Sequence, residues 1–305
     1  MDRNSIGWTG VMPALTTPFT ADGGIDHPAL IANIERLIDA GCTGVIPVGC
    51  TGEFWSLTHA EKIAIYKTTA DVLGDKAWKI VGAAAITAVE VIELAGHAEA
   101  AGCDGILVTP PYFAHLTDDE IYEHFKAVDA GVNLPVVLYN IPGNAGNALK
   151  PKLVERLATL EKVVAIKESS GDWANFQRTL YGVSDQIRVF CGPSSTIGVP
   201  AMLAGCDGLI DCFPNVWNGC IEMWPTLQAG KIDEAWALQK FGVELTDMFT
   251  RSGRTLYPAT KAAMDHLGIP GGGAPRAPLK AMEGSALVEF QKELDDFLQS
   301  EKPIA

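Results

Sequence analysis

Short apolar runs alternate with amphipathic helical patterns along most of the chain. The apolar runs show almost no alternation of apolar and polar positions, which is typical of strands that are buried on both faces. Eight such runs predict strands over residues 10–15, 44–48, 79–83, 105–108, 135–139, 163–167, 188–191 and 208–211. The repeating unit is therefore a strand followed by a helix.

Capping residues mark the starts of several predicted helices. Asp26 precedes Pro28 and an apolar stripe that begins at Leu30. The segments 58–61 and 117–120 each have a threonine three residues before a glutamate, which is the spacing of a capping box. Glycines at the expected helix ends are Gly41, Gly74, Gly102 and Gly131.

Eight strands separated by helices predict a closed parallel barrel of the (β/α)8, or TIM barrel, class. Beyond residue 215 the pattern is helical only, with predicted helices over 232–249, 256–267 and 286–300. We therefore predict a catalytic barrel over residues 1–225 and a C-terminal helical extension over residues 226–305 that packs on the barrel.

Length and charge limit the classes of partner. The chain has 305 residues and 48% apolar content, enough for the core of one barrel domain. Its formal net charge is -14, from 37 acidic and 23 basic residues. Such a surface repels a phosphate backbone or an anionic membrane, so we expect no nucleic-acid partner and no membrane partner.

The cysteines and the first residues bear on the compartment. The seven cysteines form no C-x-x-C pair, which in a chain of this size is typical of small buried residues under reducing conditions. Residues 1–5 lack a basic segment followed by an apolar run, and no apolar stretch reaches about 18 residues. We expect a cytoplasmic protein without disulfides.

One lysine stands where a barrel holds its reactive groups, at the carboxyl end of a strand. Lys167 ends the apolar run 163–167, and a polar turn with Gly171 follows it. Burial disfavours the ammonium form and lowers the pKa of such a lysine, which makes the amine a nucleophile for a ketone. The alternative is a lysine whose stem packs on the barrel while its amine reaches solvent.

Three segments at expected strand ends resemble motifs of the dihydrodipicolinate synthase and N-acetylneuraminate lyase family of pyruvate-dependent class I aldolases. Any one of them would be weak, but the three occur in the right order on successive strand ends, and the likeness runs from about residue 10 to at least residue 270. The segments are Gly49-Cys50-Thr51-Gly52-Glu53, Tyr139-Asn140-Ile141-Pro142 and Ile166-Lys167-Glu168.

The resemblance implies roles for the residues at these positions. Lys167 would form an imine with a pyruvate-like substrate, so no cofactor is expected, and Tyr139 would shuttle protons, with a pKa that a neighbouring cation can lower. Cys50 and Thr51 would hold the substrate carboxylate through backbone N–H groups and a hydroxyl. Gly52 would permit the close backbone approach there.

The resemblance also implies an assembly. In family tetramers an aromatic residue reaches into the site of the neighbouring subunit, and Tyr112 is the corresponding residue here, with Phe113 as a rival because the loop is offset by one residue. A packing role for Tyr112 is an equally good interpretation. We expect a homo-oligomer, either a tetramer or a dimer.

Three departures from the family pattern affect the choice of substrate. Cys50 stands where the synthase branch has a threonine, and a thiol is a poorer link in a proton relay. Asn144 stands where the synthase has an arginine that binds the carboxylate of the second substrate, and Arg254 in the extension is one cation that could compensate. Asp211 closes strand eight beside Ile210, where the family more often has a small or hydroxyl residue. It binds substrate hydroxyls, acts as a base or caps a loop.

Together these features predict an aldolase that makes or cleaves a pyruvate-derived 2-keto acid, with a 2-keto-3-deoxy sugar acid as the substrate class. Predicted substrate-binding residues are Cys50, Thr51, Gly52, Tyr112, Asn144, Ser169, Ile210 and Asp211. Alternatives are a dehydratase or decarboxylating dehydratase, dihydrodipicolinate synthase itself, and a sugar-acid binding protein without turnover. The six histidines show no paired spacing, so we expect no metal site.

Overall fold

The computed structural model describes residues 1–300 and confirms the predicted barrel. Its eight strands pair in parallel in the order β1-β8-β7-β6-β5-β4-β3-β2. The strands are β1 Gly10–Val11, β2 Gly44–Val45, β3 Trp78–Gly82, β4 Gly105–Val108, β5 Val136–Asn140, β6 Val163–Glu168, β7 Arg188–Cys191 and β8 Gly208–Leu209.

The barrel closes between β1 and β2, where the regular strands are shorter than predicted. A parallel bridge joins Ala14 to Ile46, and the Leu15 N–H donates to the Ile46 carbonyl over 3.0 Å. Pro13 and Pro47 interrupt the two runs because proline has no N–H to add to a ladder. The chain path follows the prediction, but the hydrogen-bonded strands end early.

Helices follow the strands and form the outer layer. Those of the barrel are α1 His27–Asp39, α2 His59–Leu73, α3 Ala88–Ala101, α4 Asp118–Gly131, α5 Pro142–Ala145, α6 Pro151–Leu157, α7 Trp173–Val183, α8 Ser194–Leu203 and α9 Gly219–Gln228. The predicted caps are confirmed: Asp26 accepts from the Ala29 N–H, and Thr58 and Thr117 form capping boxes with Glu61 and Glu120.

The extension contains α10 Ile232–Thr250, α11 Leu256–His266 and α12 Gly284–Ser300, as predicted. Helix α10 packs against α8 and α9. Helix α12 contacts it through edge-to-face aromatic side chains such as Phe249 and Phe290, whose ring centroids are 5.0 Å apart. Helix α9 was not among the predicted helices, and the predicted boundary at 225/226 lies inside it.

Within residues 1–300, no helix combines the length and the apolar character that a membrane crossing requires.

Candidate active site

Lys167 and Tyr139 occupy neighbouring strands at the same level of the barrel. They are register partners on β6 and β5, and each is 5% exposed. The Lys167 Nζ lies 4.2 Å from the centroid of the Tyr139 ring. Both predicted catalytic side chains therefore face one space at the carboxyl ends of the strands.

The surroundings of Lys167 disfavour the charged form of its amine. Burial lowers its pKa below that of a free lysine, while Cys50, Asp211 and Cys212 act in the opposite direction. Within residues 1–300 no carboxylate forms an ion pair with this amine. Burial without a direct counterion is the condition that leaves a lysine nucleophilic.

Tyr139 differs from the sequence-based expectation. We expected a neighbouring cation to lower its pKa, and that prediction is wrong: burial raises the pKa well above its usual value, and the nearby acidic groups of Cys50 and Tyr257 raise it further. Tyr139 thus rests as a neutral phenol that can donate its proton and then recover it.

The loop after β2 is built for close approach. A Cβ on Gly52 would lie 3.0 Å from the Val48 nitrogen and 3.1 Å from the Leu15 oxygen, so glycine fits there. The Thr17 hydroxyl donates to the Gly52 carbonyl over 2.7 Å and fixes the loop. Thr51 lines the same cavity as Lys167.

Cys50 lies between two phenols. Its thiol is within hydrogen-bonding reach of the Tyr139 and Tyr257 hydroxyls. Burial raises the pKa of this thiol, so it stays protonated. Tyr257 lies on α11, more than 200 residues from Cys50 in sequence, and the sequence analysis missed it because no local pattern links the extension to the loop after β2.

Two adjoining cavities open around these groups. The lysine cavity, of about 250 Å³, is lined by Cys50, Thr51, Tyr139, Ile141, Lys167, Ser169, Gly192, Pro193, Ser195, Thr196, Ile210, Asp211, Cys212, Phe213, Thr246, Leu256 and Tyr257. The Trp55 cavity, of about 410 Å³, is lined by Cys50, Phe54, Trp55, Thr109, Tyr112, Ile141, Gly143, Asn144 and Ala145.

The structure distributes the predicted residues between these cavities. The lysine cavity takes Lys167, Tyr139, Cys50, Thr51, Ser169, Ile210 and Asp211, and the Trp55 cavity takes Tyr112 and Asn144. Gly52 lines neither and acts through the loop. The cavity residues that the sequence analysis missed include Thr196, Thr246 and Tyr257, two of which come from the extension.

Ser169 offers a free hydroxyl to the lysine cavity. Its Oγ is buried and has no hydrogen-bond partner in the described part of the chain. Gly192 makes room for it, because a Cβ there would lie 1.6 Å from that oxygen. A buried hydroxyl without a partner is costly, so a polar group of a ligand would satisfy it.

Asp211 holds the loops after β7 and β8. One carboxylate oxygen accepts from the Ser195 N–H over 2.8 Å and from the Ser194 hydroxyl over 3.1 Å, and the other accepts from the Cys212 N–H over 2.6 Å. These bonds match the loop-capping alternative. Asp211 also lines the lysine cavity, so its charge acts on Lys167 as well.

A buried ion pair ties the loop after β2 to the extension. Glu53, in left-handed backbone geometry, meets the Lys261 Nζ at 2.5 Å, and the two side chains are 0% and 1% exposed. The Arg276 N–H donates to the other Glu53 carboxylate oxygen over 2.8 Å. Glu53 therefore orders the loop.

Lys261→Met is expected to destabilise the protein by about 3–5 kcal/mol, because it leaves the Glu53 carboxylate buried without its cation. Urea unfolding measures the change. Lys240→Met is the matched control, since that side chain is 81% exposed and only 4.0 Å from Glu244. The double variant Glu53→Gln/Lys261→Met should lose less than Lys261→Met, and an equal or larger loss would contradict the proposed role of the pair.

The remaining candidate residues, Tyr112, Phe113 and Arg254, differ in their exposure and contacts. Tyr112 is half-buried and packs edge-on against Phe54, with ring centroids 5.9 Å apart, whereas Phe113 is 96% exposed. Arg254 is paired with Glu293 through its Nη1 at 2.5 Å and lines neither cavity. The compensating cation considered from the sequence is therefore engaged elsewhere.

Within residues 1–300, no group of three or more histidine, cysteine, aspartate or glutamate side chains could hold a metal ion. All seven cysteines are buried, and none forms a disulfide within residues 1–300.

Comparison with known sequences gives a consistent picture. A model of the dihydrodipicolinate synthetase family matches residues 7–297. The chain is 34% identical over 267 residues to 4-hydroxy-tetrahydrodipicolinate synthase of Moorella thermoacetica, covering 87% of this chain and 90% of the relative. It is 33% identical over 293 residues to the enzyme of that name from Methanopyrus kandleri, covering 93% and 95%.

Solved structures are similar over nearly the whole chain. A prophage protein of E. coli K12 from the dihydrodipicolinic acid synthase family, solved in complex with pyruvate, superposes with a TM-score of 0.91 at 28% identity and covers 96% of this chain and 99% of its own. A dihydrodipicolinate synthase from Bacillus anthracis gives 0.89 at 29% identity, with 97% and 99% covered.

Proposed function

The chain belongs to the dihydrodipicolinate synthetase family and is a class I aldolase or lyase, and from this premise we propose that it cleaves or forms a 2-keto-3-deoxy sugar acid through an imine on Lys167. Pyruvate is the proposed keto-acid product. The complex of the E. coli K12 relative with pyruvate supports this part of the proposal.

The kinds of polar group in the two cavities support the substrate class. Among their lining residues only Lys167 carries an amine and only Asp211 a carboxylate, and the other polar groups are hydroxyls, thiols, one indole and one amide. Thr51 and the adjoining loop suit the carboxylate next to the reacting ketone. A second carboxylate would find no cation, whereas the hydroxyls of Ser169, Ser195 and Thr196 suit a neutral polyhydroxy chain.

The first half of the proposed reaction attaches the substrate. The neutral Lys167 amine attacks the ketone carbon, and a carbinolamine forms. Tyr139 donates its proton to the departing hydroxyl, which leaves as water, and the imine retains the positive charge. The phenolate produced beside that cation is stabilised by it.

In the second half of the proposed reaction a carbon–carbon bond of the substrate breaks. The Tyr139 phenolate accepts the proton of the hydroxyl on the fourth substrate carbon while the bond between the third and fourth carbons breaks. Its electron pair enters the iminium to give an enamine, and the aldehyde departs. Protonation of the enamine and hydrolysis of the imine then release pyruvate and the free lysine.

The names of the relatives favour a second candidate, the condensation of pyruvate with aspartate semialdehyde by 4-hydroxy-tetrahydrodipicolinate synthase. Asn144 in place of the arginine argues against it. A dehydratase would use the same enamine to expel a hydroxyl. An assay for released pyruvate separates cleavage from dehydration.

The parent should cleave 2-keto-3-deoxy sugar acids and condense aspartate semialdehyde poorly. The missing bidentate contact is expected to lower kcat/KM for the condensation by roughly 30- to 1000-fold relative to sugar-acid cleavage. Coupled assays of both reactions over a panel of 2-keto acids measure the ratio. Efficient condensation by the parent would overturn the sugar-acid proposal.

Asn144→Arg adds the cation and should raise the condensation. Asn144→Ala is the control, since both changes remove the amide but only one adds a guanidinium. A gain confined to Asn144→Arg supports the charge argument, and an equal effect of both variants contradicts it.

We also propose that the protein assembles as a homo-oligomer. The support is Phe113, which follows the cavity residue Tyr112 in sequence and is 96% exposed. Its apolar ring is available for contact with a second copy of the chain. Light scattering of the parent and of Phe113→Ser tests this, and a monomeric parent would contradict it.

A further inference from the structure

A chain of polar groups leads from Lys167 to the boundary between the two cavities. Tyr139 faces Lys167, and Cys50 lies within hydrogen-bonding reach of both Tyr139 and Tyr257. Tyr257 lines the lysine cavity, and its hydroxyl accepts from the Asn144 Nδ2 over 3.2 Å. Asn144 lines the Trp55 cavity, so these four side chains connect the two spaces.

The Asn144 contact gives this chain a direction. An amide nitrogen can only donate, so it occupies a lone pair of the Tyr257 oxygen and leaves the Tyr257 O–H free to donate to Cys50. The thiol can then donate to the Tyr139 oxygen, and the Tyr139 O–H points to the reacting atoms. In this arrangement each group can donate to the next one towards Lys167.

The Tyr257 ring is held in place from the outside. The Trp55 ring packs on it with centroids 5.6 Å apart, and the α11 backbone positions its stem. A phenol fixed by both an aromatic contact and a hydrogen bond keeps its hydroxyl beside Cys50 without a large entropy cost.

We propose that Tyr257 is a positioning and relay residue that passes protons between the Trp55 cavity and Tyr139 through the Cys50 thiol. The proposal rests on the imine chemistry proposed for Lys167. It assigns the outer phenol of the relay to the extension of the same chain.

Each group of the proposed relay gives up one proton and receives one. When the enamine is protonated, Tyr139 gives its proton to the carbon, Cys50 replaces the proton of Tyr139, and Tyr257 replaces the proton of Cys50. Solvent in the Trp55 cavity supplies the last proton to Tyr257. One proton enters, one reaches the substrate, and the three relay groups end neutral.

Neutrality explains how a thiol can serve here. Burial raises the pKa of Cys50, Tyr139 and Tyr257, so none of them is charged at rest. In such a site a chain in which each group accepts as it donates avoids a buried anion. The weak donor strength of the S–H group is offset by the phenols on either side of it.

The test uses pyruvate alone, so that the aldehyde partner does not matter. Exchange of the pyruvate methyl hydrogens in deuterium oxide, followed by proton NMR, reports proton transfer to and from the enamine. Borohydride trapping with peptide mass spectrometry reports the imine on Lys167. A parent without a Lys167 adduct would refute the proposed function itself, whereas the relay is judged by exchange among variants that still form the adduct.

Tyr257→Phe should keep the Lys167 adduct and lower the exchange rate by at least about 10-fold, less than the loss from removing the contacting group Tyr139. Tyr181→Phe is the matched control, because that phenol is exposed on α7. An unchanged exchange rate in Tyr257→Phe with intact trapping overturns the proposal. It is also overturned if Tyr112→Phe lowers the exchange rate and Tyr257→Phe does not.

Variants of Cys50 separate a relay from simple packing. Cys50→Ala should match Tyr257→Phe, and the double variant should be no slower than either single one, since both break the same path. Cys50→Thr restores a hydroxyl link and should exchange within about 3-fold of the parent. Multiplying losses in the double variant, or no recovery with threonine, would show that the two residues act independently.

Discussion

Lys167→Met will abolish the covalent adduct and nearly all turnover. Without the amine neither imine nor enamine can form, so kcat/KM for cleavage should fall on the order of 10⁴- to 10⁶-fold. Methionine has a similar length and no charge, and it replaces an amine that is 5% exposed without an ion-pair partner within residues 1–300, so the barrel should stay folded. Borohydride trapping with pyruvate, read by peptide mass spectrometry, is the direct measurement.

Lys162→Met is the control for the loss of a lysine on the same stretch of chain, because its amine pairs with Glu161 at the start of β6, far from the site. It should retain both adduct and turnover. An adduct on a different lysine in the parent, or turnover that persists in Lys167→Met, would remove the proposed mechanism.

The rate of trapping should also depend on pH in a defined sense. The neutral amine is the nucleophile, and burial lowers the pKa of Lys167, so the reactive form persists to lower pH than for a free lysine. Trapping should slow as the pH falls through this lowered pKa. A midpoint at the value of an exposed lysine, about 10.4, would contradict the buried, unpaired amine.

Tyr139→Phe should lower kcat by roughly 10²- to 10⁴-fold, the range for loss of a positioned acid–base group. The ring and its contact with the Lys167 amine remain, so the adduct should still form, but more slowly because no acid assists the departing water. Single-turnover cleavage and the pyruvate exchange rate measure the loss. Tyr66→Phe controls for the loss of a buried phenol, since that hydroxyl only donates to the Gly82 carbonyl.

A rate for Tyr139→Phe close to that of the parent would reduce Tyr139 to a packing residue. A loss of adduct without a change in the later steps would instead assign the phenol to imine formation alone.

The positions of the strand-end residues were predictable, because in a barrel the place of a residue follows from where its strand ends in the sequence. Apolar runs fix where the strands end, and the carboxyl ends of parallel strands meet at one face. Lys167, Tyr139 and Cys50 each follow or end such a run, so their proximity followed from order alone. The caps at Thr58 and Thr117 were predictable for the same reason, since a cap involves only the next three residues.

Contacts between the barrel and the extension were not predictable in this way. Tyr257 and Thr246 reach the lysine cavity, and Lys261 reaches Glu53, through packing of α10 and α11. Helical periodicity predicts which face of a helix is buried but not which loop that face contacts. The direction of the shift in the Tyr139 pKa was predicted wrongly for a related reason. Burial of this phenol depends on the complete cavity wall, and burial also disfavours the charged form of the neighbouring Lys167 amine.

The ion pair between Glu53 and Lys261 makes the extension inseparable from the barrel it covers. A barrel that ended at residue 225 would retain Lys167 and Tyr139 but would lose one wall of the lysine cavity. It would also expose the Glu53 carboxylate, which is fully buried in the intact fold. The extension also supplies part of the cavity wall, because α10 and α11 contribute Thr246 and Leu256 to the lysine cavity. Substitutions at these two positions would change the space offered to the aldehyde while the eight strands, the buried ion pair and the imine chemistry stay as they are. The range of accepted aldehydes can thus change through a few side chains of the extension, without rebuilding the strands.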